Sequence, residues 1–320
     1  MNNSDDPWRR AAELLQPMGS IAGNFTSAVR TLLNYHERGI TTLTAGVQTH
    51  MLRILRNSTV KATYFFASKA YRPELLTQHR AIKPKDFLNL YSPFEHAVIL
   101  AYCYLFRALA KKSKKEEWEY VQSPLYEALE IGACIGARIP EVGLGIGLLS
   151  RGLRYLAFAA LLMKNEKSFV QYRKHLRAKD LPFDLDKEVE LWGCTNIHIA
   201  ALMMEYIGFN RNVGNQFVAA AMKDTVLPGD TLYGVPFRIA ETLLDSFTER
   251  GELPEQLPSW VGSTLRFSKE QRTTLLQDLS RVVSSTERIE WLNTSSSSIN
   301  PDSTPELFEE GGTNVEALTK

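Results

Sequence analysis

Apolar residues recur at helical spacing along nearly the whole of this chain, and runs that alternate apolar with polar are absent. That pattern constrains the fold strongly. A helix turns every third or fourth residue to one face, whereas a strand turns every second. Phe94, Val98, Tyr102, Leu105 and Leu109 form one such stripe, and Ile197, Ala201, Met204 and Ile207 form another. Gly and Pro fall mostly between these stretches, where they punctuate. The expected class is all-α, with about a dozen helices.

Local signals set the boundaries. Short helices are expected over Trp8–Leu15, Ile21–Asn34, Leu43–Arg56 and Val60–Ala70, the last ended by Tyr71-Arg72-Pro73. Ser92-Pro93-Phe94-Glu95 reads as a helix start, with Ser as cap and Glu placed to reach back. Ser123-Pro124 repeats the Ser-Pro pattern and predicts a second start. Residues 252–268 are rich in Pro and Gly and lead to a final helix over Ser268–Asn293, opened by a Ser268/Gln271 capping box. The expected organisation is therefore an N-terminal helical region over 1–91, a helical core over 92–251 and a C-terminal linker and helix over 252–293. A polar tail over 294–320 is expected to be disordered, because it offers few large apolar side chains to bury.

Charge and cysteine usage narrow the setting. With a net charge of +1, nothing forces a polyanionic partner, so neither nucleic acid nor a membrane surface is expected. The one basic run, Lys111-Lys112-Ser113-Lys114-Lys115, is followed at once by Glu116, Glu117 and Glu119 and reads as a solvated helix end. Cys103, Cys134 and Cys194 are scattered and read as small buried hydrophobes in a reducing, cytoplasmic setting. The N-terminal residues lack the apolar core of a secretory signal. The longest apolar stretch, Tyr155 to Met163, falls short of the roughly 20 residues of a membrane helix.

Two stretches about forty residues apart carry a resemblance. One is Gly147-Leu148-Leu149-Ser150-Arg151-Gly152, the other Glu188-Val189-Glu190-Leu191-Trp192-Gly193-Cys194-Thr195-Asn196, running on to Ile207-Gly208-Phe209. Upstream, Leu125-Tyr126-Glu127-Ala128-Leu129 and the helix ending at Ala70-Tyr71 add to it. Together they resemble the HDOD domain, a helical bacterial relative of the HD phosphohydrolases, whose frame reads G-L-L-H-D-I-G followed by E, G and H. The resemblance implies an HD-like multi-helix domain with an N-terminal helical subdomain. It also implies that Ala128, Ser150, Arg151 and Asn196 stand where metal-dependent relatives carry ligands.

Those four residues cannot form such a ligand set. Ala128 has no donor atom, Arg151 is a permanent cation, and Ser150 and Asn196 are weak neutral ligands. His198 lies two residues past Asn196, about 200° around a helix, and cannot replace it. The expectation is no catalytic residue, no metal and no cofactor. Arg151, Ser150, Asn196, Ala128 and Arg154 are expected at a remnant pocket that holds a small anion or a partner's carboxylate; the alternative is that Arg151 and Arg154 project into solvent or pair with a nearby Glu such as Glu127. The resemblance implies a non-catalytic bacterial signalling or regulatory protein that binds a protein partner. The alternative is a phosphohydrolase or nucleotide sensor using a modified pocket. Gly143-Leu144-Gly145-Ile146-Gly147-Leu148 fits neither standard phosphate-loop pattern and reads as close helix packing.

Overall fold

The computed structural model describes residues 6–19, 21, 23–77, 83–224, 232–285, 287–288 and 290–293. The expected disordered tail, 294–320, lies outside them. Among the described residues the chain is all-α, with helices, no strand and one isolated antiparallel bridge between Gln256 and Arg266. It forms two compact units: Met1–Ile21 with Ala108–Ser285, and Ala22–Arg107 with Thr286–Lys320. These differ from the divisions read at 91, 251 and 293. The first helix groups with the second half of the chain, and the described residues around Trp291 group with the first half. Packing partners distant in sequence decide this, and composition does not reveal them.

The smaller unit contains α2 (Gly23–Glu37), α3 (Ala45–Leu55), α4 (Ser58–Tyr71), α5 (Pro73–Thr77), α6 (Pro84–Leu90) and most of α7 (Pro93–Ala110). The α7 start is built as the sequence indicates: Ser92 N–H donates to Glu95 Oε2 at 2.7 Å and Glu95 N–H to Ser92 Oγ at 3.3 Å. The stripe Phe94, Val98, Tyr102, Leu105 and Leu109 is buried. The final helix does not reach Asn293 as expected; it ends at Ser284. Trp291 packs instead edge-on to Tyr71 and Tyr102, donating its Nε1–H to Tyr71 Oη at 2.7 Å. A buried indole with its polar edge satisfied outweighs another turn of solvated helix.

His96 is fully buried in this unit. Its Nε2 lies 3.3 Å from the Leu88 carbonyl and its Nδ1 3.1 Å from Tyr64 Oη. The carbonyl only accepts, so Nε2 carries the proton and Tyr64 donates to Nδ1. Burial lowers the imidazole pKa to about 4. The unfolded ring takes up a proton near pH 6.5 and the folded ring resists until much lower pH. The stability it contributes is thus complete above 6.5 and is lost as pH falls towards 4, by roughly 3 kcal/mol. Urea unfolding at pH 7 and pH 4.5 should show this loss in the native chain and a smaller one in His96→Gln. Equal losses in both would rule His96 out as a source.

The larger unit contains α1 (Pro7–Leu15), α8 (Lys115–Arg138), α9 (Gly143–Lys164), α10 (Glu166–Lys179), α11 (Leu185–Trp192), α12 (Asn196–Ile207), α13 (Arg211–Ala221), α14 (Gly234–Arg250) and α15 (Lys269–Ser284). α9 is central and packs on α8, α10, α12 and α14. By length and composition it could cross a membrane, but 89% of its most apolar window is buried in the protein. Pro124 does not start a helix as the Ser-Pro pattern predicts; it lies inside α8. An internal Pro costs about 3 kcal/mol. Burial of Val121, Leu125 and Leu129 on both sides of it holds the helix together.

The glycines at the α8–α9 crossing confirm the packing reading. Gly132 and Gly136 on α8 face Gly147 and Gly143 on α9. A Cβ at Gly147 would overlap the Gly132 carbonyl oxygen and lie 2.8 Å from its carbon. At Gly136 the Gly143 carbonyl carbon would be 2.6 Å away. Gly143 also opens α9 with φ of 67°, a left-handed conformation that favours glycine. Cys103 and Cys194 are buried, Cys134 is half-buried, and none is in a disulfide.

Candidate functional site

Two arginines one turn apart on the buried helix α9 organise the site. Arg154 is 5% exposed and Arg151 4%. Such cations are tolerated in a core only when hydrogen-bonded to counter-charges. Arg154 Nε donates to Asn196 Oδ1 at 2.8 Å, and Nη1 to Glu241 Oε2 at 3.4 Å. The Phe183 ring lies beneath the guanidinium, 3.9 Å from its carbon.

The network continues through Asn196, the first residue of α12. Its backbone N–H donates to Glu188 Oε2 at 2.6 Å and its side-chain amide to Glu188 Oε1 at 2.7 Å. Tyr172 Oη donates to Glu188 Oε1 at 2.5 Å. Glu188 thus satisfies an unpaired amide at the α12 N-terminus, where the helix dipole favours a carboxylate. Tyr172 from α10, Glu188 from α11, Asn196 from α12, Arg154 from α9 and Glu241 from α14 form one polar chain. Five helices are tied through it.

A second arm uses Arg151. It donates to Asp245, and through Nη1 to Thr248 Oγ1 at 2.8 Å. Lys223 Nζ closes on the other Asp245 oxygen at 2.9 Å. Arg151 therefore pairs with Asp245, not with Glu127. Burial raises the Glu241 carboxyl pKa, opposed by Arg154 and then Arg151. Burial also raises that of Glu188, opposed first by the Tyr172 hydrogen bond. Glu241 Oε1 has no hydrogen-bond partner among the described residues.

Of the residues singled out from the sequence, Arg154 and Asn196 meet directly. Arg151 turns towards α14. Ser150 Oγ donates to the Ile146 carbonyl one turn back in its own helix, at 2.9 Å. Ala128 contributes a buried methyl group on α8. His198 belongs to a cap: its Nδ1 lies 2.8 Å from Thr195 Oγ1, at the start of α12. Among the described residues no three His, Cys, Asp or Glu side chains gather as a metal site.

Tyr172, Phe183, Glu241 and Asp245 were not singled out from the sequence. Glu241 carried a signal: it occupies an apolar stripe, four residues after Phe237 and three before Leu244, both buried. A carboxylate in such a stripe implies a buried counter-charge. No known family model, curated protein or solved structure matches this chain.

Proposed function

We propose that this chain is a non-catalytic regulatory or signalling protein of HDOD-like type that works by binding a protein partner. One observation supports the reading: the side chains at the positions of the resemblance are spent on one another and on internal carboxylates. Arg151 closes on Asp245 and Thr248, Arg154 on Asn196 and Glu241, and Asn196 on Glu188. These groups brace α9, α11, α12 and α14, and Tyr172 adds α10 through Glu188. A divalent metal would have to displace a guanidinium held by its own counter-ions, and the guanidinium repels the metal.

The test has two parts on purified protein. Elemental analysis should find no stoichiometric iron, manganese or zinc, and phosphodiester substrates should remain intact. One equivalent of metal that disappears in Ser150→Ala or Asn196→Ala would instead establish the hydrolase alternative. In the second part, Arg151→Ala should lower the melting temperature and leave partner recovery unchanged. Lost recovery with an unchanged melting temperature would assign Arg151 to a ligand.

A further inference from the structure

The lysine run at 111–115 joins a larger basic surface that no single stretch of sequence displays. Lys114 Nζ donates to Glu166 Oε2 at 2.8 Å, 52 residues further along. Glu166 is the first residue of α10, so the run lies beside the start of that helix. α10 carries Lys167, Arg173, Lys174, Arg177 and Lys179 against a single acid, Glu166. Its apolar side, Phe169, Tyr172 and Leu176, is buried, while Lys167, Lys174 and Arg177 are exposed. Lys179 is paired with Asp184 at 3.7 Å. Lys111, Lys112, Lys164, Lys167, Lys174 and Arg177 enter no ion pair among the described residues.

Lys164 and Asn165 also form one wall of a groove of about 580 Å³. Leu14, Val189, Leu191 and Trp192 supply its apolar lining, and Glu13 and Glu190 lie along it, paired with Arg10 at 3.0 Å and Lys187 at 2.6 Å. Val189 is 49% exposed there. Trp192 Nε1 is buried without a hydrogen-bond partner among the described residues.

We propose that this groove and the outer face of α10 together dock an acidic amphipathic segment of a partner protein. The proposal rests on the reading that the chain acts by binding a protein. Apolar side chains of the segment enter between Leu14, Val189 and Leu191. Its carboxylates lie against Lys164, Lys167, Lys174 and Arg177. A groove that exposes Val189 beside Leu191 and Trp192, next to cations that enter no ion pair among the described residues, is complementary to an amphipathic acidic helix in charge and in apolar contact. A nucleic acid fits less well, because the α10 aromatics are buried, which leaves no stacking platform.

Fluorescence anisotropy on the full chain tests this with four probes. They are a labelled synthetic peptide with Leu at helical spacing and Glu elsewhere, a charge-matched peptide with Ser in place of Leu, a short DNA duplex, and phosphatidylglycerol vesicles. The Leu/Glu peptide should bind at least about tenfold more tightly than the Ser/Glu peptide, about 1.4 kcal/mol. Lys167→Glu with Lys174→Glu, and separately Val189→Asp, should each weaken it about tenfold or more without changing the melting temperature. These side chains are exposed, so folding does not depend on them. No saturable peptide binding, equal binding of both peptides, or tighter binding of DNA or vesicles would overturn the proposal. Its failure is separable from that of the functional reading. Partner recovery undiminished by the lysine reversals removes the docking surface alone, whereas metal-dependent hydrolysis removes the reading.

Discussion

Gly147→Ala should be among the most damaging single substitutions in this chain, costing at least about 3 kcal/mol and leaving much of the protein insoluble. The added methyl meets the Gly132 carbonyl on α8, and that obstacle is backbone, not a side chain able to rotate away. Relief requires α8 and α9 to separate. These helices touch at two glycine pairs, 132 with 147 and 136 with 143, so moving one contact strains the other. α9 also carries both arginines of the buried network, and separation would pull them from their carboxylates. Gly46→Ala is the internal control. It lies in the first turn of α3 with open space where the methyl would go. That change should be neutral or stabilise by about 0.4–1 kcal/mol. Thermal and urea unfolding of the two variants decide the matter. A Gly147→Ala protein that melts with the native chain would show that the crossing is looser than its geometry indicates.

Arg154→Leu should cost about 3–5 kcal/mol, a fall in melting temperature on the order of 10 °C. The loss comes less from the missing attraction than from what is left behind. Glu241 is 2% exposed, Glu188 is buried, and both would remain without the cation that offsets their desolvation. Adding Glu241→Gln removes one of the stranded charges. The double variant should therefore be more stable than the sum of the two single losses allows, by about 1 kcal/mol or more. Strictly additive losses would show that Arg154 and Glu241 do not act as a pair.

Whatever depends on neighbours within a turn or two was legible in the sequence. The buried stripes of α7 and α12, the Ser92/Glu95 start and the Ser268/Gln271 capping box all formed as read. A stripe is fixed by the helix period and a cap by groups three residues apart. The small residues at 143–148 likewise proved to be a close crossing. Local reading failed where a distant partner overruled a local rule. Pro124 stays inside α8 because the helix is buried on both sides of it, and Trp291 leaves the expected final helix for Tyr71 and Tyr102.

The site divides in the same way. The sequence alone placed two arginines one turn apart in an apolar helix, with an asparagine where the resemblance to HDOD domains leads one to expect a ligand. It could not say what neutralises them. Asp245 lies 94 residues from Arg151 and Glu241 lies 87 from Arg154. Only the packing of α14 against α9 brings them within reach. The basic surface joining the 111–115 run to α10 likewise forms through a single ion pair across 52 residues. Helix formation is set within a few residues of chain. Charge compensation acts through space over a few ångströms, and which charges come that close is decided by tertiary packing.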